Sequence, residues 1–148
     1  MAPAELTSHL GYWLRLVSNH VSHSFARKLQ TVDITVAEWA LMRVLFGIDE
    51  NPSQLAERMG MTKGAITKLA DRLIAKSLMT RIASPEDRRS HTLRLTKKGE
   101  SLVPRLADLA DQNEAECFSH LSRTDRALLE RVLKASVKRF GLNSIPID

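Results

Sequence analysis

Residues 54–73, QLAERMGMTKGAITKLADRL, constrain the fold of this chain more than any other stretch. They read as two short helices broken by a sharp turn at Met59-Gly60-Met61. Ala56 falls where the helices would cross, and a small side chain there lets the backbones approach. Gly60 falls in the turn, where a left-handed backbone costs glycine nothing. Ile66 and Leu69 are spaced to face back onto Leu55 and Met59. Small, glycine and apolar residues at these offsets make the helix-turn-helix pattern. The second helix opens Thr62-Lys63-Gly64-Ala65 and continues Thr67-Lys68. Its outward face is therefore small, hydroxylic and basic at the N-terminal end, which suits a helix entering a DNA major groove. The competing reading is a helical hairpin inside a core.

Charge sharpens the choice. Residues 51–100 hold 11 Lys and Arg against 5 Asp and Glu, whereas the rest of the chain holds 11 against 12. The basic excess is thus confined to the segment with the helix-turn-helix, the footprint of a polyanionic partner. With 148 residues, 43% of them hydrophobic, the chain is long enough for one domain with a good core. Cys117 is the only cysteine, which excludes an intrachain disulfide and a cysteine-rich metal site. The start, MAPAELTSHL, lacks the basic-then-apolar order of a signal peptide, and no apolar run approaches a membrane span. The expectation is a cytoplasmic protein.

In chain order, Leu6, Leu10, Trp13, Leu14, Val17, Val21, Phe25 and Leu29 form one apolar stripe on a helix of about residues 5–30. Arg15, Asn19, Ser22 and Lys28 take the opposite face. The helix is longer than needed to cover a helix-turn-helix, so its surplus predicts a partner helix. Thr35 with Glu38 is a capping box. It opens a strongly apolar helix (Trp39, Leu41, Met42, Val44, Leu45, Phe46) that is expected to be buried and to end at Gly47. Asn51, Pro52 and Gln54 read as N-cap, first helical residue and capping partner. After the second helix of the motif, residues 78–83 and 91–96 alternate as strands around the polar turn 84–90. Two strands joined by a basic loop make a wing. Thr96 caps a helix in which Pro104 predicts a kink or a late start. Ser122 and Asp125 cap a last helix, with Leu128, Leu129, Val132, Leu133, Val137 and Phe140 expected inward. Gly141 ends it, and 142–148 reads as a tail.

Taken together, the chain resembles the MarR family of bacterial transcriptional regulators, in particular its SlyA-like branch. The likeness is carried by Gln54-Leu55-Ala56 through Gly60, by residues 63–69, and by Leu73, Leu78 and Arg81. It is carried most strongly by Pro85-Glu86-Asp87-Arg88-Arg89-Ser90 followed by Leu93, Leu95-Thr96 and Gly99. Order and spacing match from about residue 10 to 140. The fold class implied is mainly α with a small β wing, a winged helix-turn-helix flanked by N- and C-terminal dimerisation helices. Residues 1–33 and 101–148 would form the dimerisation region, and 34–100 the DNA-binding domain. The resemblance further implies a homodimer on a pseudo-palindromic operator. It also implies relief of regulation by a small aromatic or phenolic anionic effector held between the two parts.

The residues themselves suggest the contacts. Thr62, Lys63, Gly64, Ala65, Thr67 and Lys68 are the candidates for bases and phosphates. Gly64 and Ala65 keep the helix slim at the groove floor. Ser53 is a candidate phosphate contact or a simple cap. Arg72 is a further contact or a partner for a wing carboxylate. Arg88 suits minor-groove insertion, where a narrow groove concentrates negative potential. Arg89 reads as an internal partner or a DNA contact. Tyr12, Trp13, Leu16, His20, Trp39 and Arg43 are the effector candidates, although both tryptophans also fit a core. His20 and His23 lie close on one helix without a strong metal spacing, and Cys117 reads as a small core hydrophobe.

Nothing in the chain suggests an enzyme. There is no nucleophile with its base, no metal set and no phosphate-cradling glycine loop, so neither metal nor cofactor is expected. Two alternatives share the fold: a winged-helix protein-interaction module and a non-specific architectural DNA binder. The localised basic excess and the two-arginine wing favour sequence-specific double-stranded DNA.

Overall fold

The computed structural model describes residues 1–83 and 90–147. A 3-10 turn at Leu6–Ser8 precedes the first helix, α1 (Leu10–Gln30), so the helix begins later than its stripe suggests. Trp13 Nε1 donates to Thr7 O across that junction at 3.0 Å. Helix α2 (Val36–Leu45) starts at the expected capping box. Thr35 Oγ1 accepts from the Glu38 amide, and Glu38 Oε1 accepts from the Thr35 amide. Leu41, Met42 and Leu45 of α2 are fully buried, but Phe46 is not. It lies on the surface with the Arg43 guanidinium 5.9 Å above its ring.

Helix α3 (Pro52–Met59) has Asn51 as N-cap, its side chain accepting from the Gln54 amide at 2.8 Å. Gly60 takes φ +64, the left-handed turn expected of it. Helix α4 (Lys63–Ala75) follows, capped by Thr62. Leu55, Ala56 and Met59 from α3 meet Ile66, Leu69, Ala70 and Leu73 from α4 in the core. Strands β1 (Met79–Ala83) and β2 (His91–Leu95) form an antiparallel hairpin pairing Met79 with Leu95 and Arg81 with Leu93. Glu50 bridges to the far side of Leu93, tying the α2–α3 loop to the wing.

Helix α5 (Lys97–Phe118) starts at its Thr96 cap and runs on through Pro104, so the late start does not occur. Gly99 explains why a glycine follows Leu95-Thr96 at that distance. A Cβ at Gly99 would lie 2.1 Å from Leu78 O, so the helix can press against the end of β1 only without a side chain. Helix α6 (Arg123–Phe140) is capped by Ser122 and closed by Gly141 at φ +65.

The buried core draws on residues from Leu29 to Leu106. Beyond it, the apolar stripes lack cover within the chain. Leu10, Val17, Val132 and Phe140 are 84%, 54%, 50% and 67% exposed. The face of α6 expected inward therefore lies on the surface, and no residue of α6 is buried. On α1, Ser22 and Lys28 of the polar face are half-buried. Lys28 Nζ pairs with Glu116 Oε2 at 2.5 Å and with Asn113 Oδ1 at 3.4 Å on α5. Residues 143–147 are not a loose tail, since Ile145 and Ile147 pack on the core.

Candidate functional site

Helix α4 has one buried and one exposed face. Ile66, Leu69, Ala70 and Leu73 are buried, whereas Thr62, Lys63, Gly64, Thr67, Lys68 and Arg72 are exposed and Ala65 is half-buried. The core thus fixes which side of the helix is offered outward. Thr62 Oγ1 accepts from the Ala65 amide at 3.1 Å, which leaves its own proton free to be donated. Thr67 Oγ1 donates to Lys63 O at 3.0 Å, so its methyl and an oxygen lone pair remain for a partner. Lys63 and Lys68 stand within the first two turns, where the helix dipole also favours an anion.

A cleft of about 300 Å³ lies between α3, α4 and the two strands of the hairpin. Ser53, Lys63 and Thr67 line it together with Arg81 and His91. Ser53 is not the cap of α3, a role Asn51 fills, and its side chain stays exposed. Three residues singled out from the sequence therefore share one concave surface.

Arg81 is not among the contacts expected from the sequence. Cross-strand pairing sets it on the same face of the hairpin as Met79 and Leu93. From there its guanidinium pairs with Asp71 on α4. This is the reverse of the pairing considered for Arg72: the carboxylate is on the helix and the cation on the wing. Among the described residues Arg72 makes no ion pair. The signal available in the sequence is an acidic residue on the outward face of the basic helix, with an arginine in the first strand. Arg88 and Arg89 lie outside the described residues.

A second, open concavity of about 480 Å³ is lined by α1, α2, α5 and residues 145–146. Its lining is mainly apolar, with Phe25, Trp39 and Val44 among the walls and Arg43, Asn113 and Glu114 as polar members. Glu114 is already paired with Arg126 at 2.6 Å. Asn113 is buried, donating to Val21 O at 3.2 Å and accepting from Lys28. Arg43 remains as a cation at the rim, stacked near Phe46. Of the effector candidates, Trp39 and Arg43 line this cavity. Tyr12, Trp13, Leu16 and His20 do not, and lie on the exposed part of α1. Tyr12 and Trp13 instead pack edge to face, with ring centroids 5.1 Å apart. Cys117 is half-buried, short of a core position. No cluster of three or more His, Cys, Asp or Glu residues could hold a metal among the described residues.

Comparison with known proteins agrees with this geometry. A model of the MarR family matches residues 34–91. The multiple antibiotic resistance protein MarR of Escherichia coli K12 is 27% identical over 127 residues, 84% of this chain and 88% of that protein. A point mutant of the E. coli protein, solved with operator DNA, superposes with a TM-score of 0.76 at 25% identity, over 86% of this chain and 93% of that one. The transcriptional repressor CouR, solved on a 23-mer DNA duplex, gives 0.78 at 27% identity, over 93% and 98%. BpsR of Bordetella bronchiseptica gives 0.77 at 20% identity, over 91% and 97%, a likeness of fold.

Proposed function

Since the chain belongs to the MarR family of DNA-binding transcriptional regulators, we propose that it acts as a ligand-responsive repressor, a homodimer seated on a pseudo-palindromic operator. The observation that carries this reading is the exposed, basic N-terminal half of α4 standing on a buried back face. Residues 34–100 form the DNA-binding unit. Thr62, Lys63, Gly64, Ala65, Thr67 and Lys68 enter the major groove. Ser53 holds a flanking phosphate, and Arg72 reaches the backbone further along. Arg88 enters the minor groove, with Arg89 beside it, on the strength of the wing sequence alone.

The uncovered stripes of α1 and α6 support a dimer built from residues 1–33 and 101–148. Exposed apolar surface of this extent is costly in water and marks an association face. Both half-sites then follow from the two-fold axis. The cavity supports a small aromatic anion as effector: apolar walls with Phe25 and Trp39 take the ring, and Arg43 takes the charge. BpsR offers a concrete probe, since its DNA binding is regulated by 6-hydroxynicotinic acid, an aromatic acid. Placement on the SlyA-like branch rests on the wing motif. No described helix is long and apolar enough to cross a membrane, which is compatible with work in the cytoplasm.

The test is selection from a random duplex pool with the purified protein. An enriched inverted repeat with half-sites about one helical turn apart is the expected result. Salt-sensitive binding without enrichment would replace this reading with an architectural DNA binder. No binding at low salt would favour a protein-interaction module.

A further inference from the structure

We propose that residues 143–147 are an intrachain strap that clamps the turn between α3 and α4, so that seating of the strap governs how rigidly α4 is held for DNA. The inference rests on the DNA-binding reading above for its consequence, though not for the clamp itself.

The strap is built in steps from the sequence. Gly141, in the left-handed conformation, reverses the chain at the end of α6, with the Leu142 amide donating back to Val137 O at 3.1 Å. Pro146 then biases Ile145 toward extended backbone, which leaves the Ile145 amide available outside any helix. That amide donates to Met59 O at 3.1 Å, and Ser144 Oγ donates to Gly60 O at 3.2 Å. Both acceptors belong to the last residue of α3 and the turn after it. Carbonyls at a helix end have no intrahelical donor, so the strap satisfies groups that would otherwise need water.

Two further observations agree. Ile145 and Ile147 pack against the core, so the strap is anchored by apolar contact as well as by hydrogen bonds. Gly60 also fits the strap in a way its backbone angle does not require. A Cβ there would fall 2.7 Å from Ser144 Cα and 2.8 Å from Ser144 Oγ. The glycine therefore does two things: it turns the chain and leaves room for Ser144.

Ile145 also connects the clamp to the cavity. Its amide holds the turn while its side chain lines the cavity wall with Pro146. A molecule filling the cavity meets the strap directly, and a displaced Ile145 releases Met59 O. The route from cavity to recognition helix is then one residue long.

The experiment compares the full chain with three variants: one ending at Leu142, Ile145→Pro, which removes the amide, and Ile145→Ala, which keeps the amide and removes the wall. Hydrogen exchange of residues 59–63 is read in each, with circular dichroism to establish that the helices persist. Exchange about tenfold faster is expected in all three, from the lost hydrogen bond in the shortened chain and Ile145→Pro and from the lost apolar anchor in Ile145→Ala. Unchanged exchange in the shortened chain would overturn the strap. Unchanged exchange in Ile145→Ala alone would overturn the link to the cavity. Affinity for a selected duplex should fall by about tenfold in the shortened chain, because a less rigid helix loses more freedom on binding. If the wild type binds no duplex, the DNA reading fails, while the exchange data still decide the strap.

Discussion

The ammonium of Lys76, at the C-terminal cap of α4, lies 3.0 Å from Oε2 of Glu38, a carboxylate buried near the start of α2. The pair ties the far end of α4 to α2, while the Ile145 amide reaches Met59 O at the turn before α4. Burial opposes ionisation of Glu38. The Thr35 amide, Lys76 and the Thr35 hydroxyl together outweigh burial and hold the carboxyl below its ordinary value of 4.5.

A pH dependence follows from that direction. A carboxyl with a lowered folded pKa adds stability above its unfolded pKa, and that stability is lost as pH falls through the folded value. Glu38→Gln should lower stability by about 1–3 kcal/mol near neutrality through the lost ion pair with Lys76, while the glutamine carbonyl can still accept from the Thr35 amide. The gap between wild type and variant should close as the medium is taken below pH 4.5. Denaturant titrations at several pH values measure it. A gap that stays constant would remove Glu38 from the acid response.

Gly99→Ala should destabilise the fold by about 1–3 kcal/mol or more, because the added Cβ meets backbone that cannot swing aside. The obstacle is Leu78 O at 2.1 Å, and relief requires the start of α5 to move off the end of β1. Gly64→Ala is the control: nothing lies within 4 Å of its Cβ, so stability should hold. Thermal melts of the two variants distinguish a packing requirement from a general preference for glycine.

Arg81 on β1 and Asp71 on α4 form an ion pair between the wing and that helix, and both side chains are substantially exposed. Such a pair contributes only about 0–1 kcal/mol to stability. Arg81→Ala should therefore leave the melting temperature nearly unchanged while weakening DNA binding by about tenfold. A double-mutant cycle with Asp71→Ala, read in DNA affinity, should show coupling between the two. Simple additivity would mean that Arg81 acts on DNA independently of Asp71.

Trp39 and Arg43 make the cavity observable. In a Trp13→Phe background, a small aromatic carboxylate that occupies the cavity should quench Trp39 fluorescence, and Arg43→Ala should weaken that binding by about tenfold through loss of a charge-assisted contact. Equal affinity with and without Arg43 would argue against an anion at this rim.

The helix-turn-helix, wing and caps are legible in the sequence because each is local. Thr35, Asn51, Thr96 and Ser122 bond to an amide three residues on, and Gly60 and Gly141 take left-handed angles. The outward face of α4 follows from periodicity. What the sequence does not announce depends on contacts distant along the chain. Ile145 reaches Met59 and Arg81 reaches Asp71 only after the fold is made, and residues 143–147 carry no periodic pattern that marks a strap. The α6 stripe misleads for a related reason: periodicity says that a face is apolar, not which surface covers it.

The most direct measurement of the central claim, that the exposed face of α4 meets DNA phosphates, is the salt dependence of affinity for a selected duplex, in wild type and Lys68→Ala. If the dimer neutralises about 6–10 phosphates, wild-type affinity should fall by about 10³-fold or more between 50 and 200 mM salt. Lys68→Ala should reduce the steepness of that dependence, by about one phosphate per protomer. A flat salt response in the wild type would contradict the account.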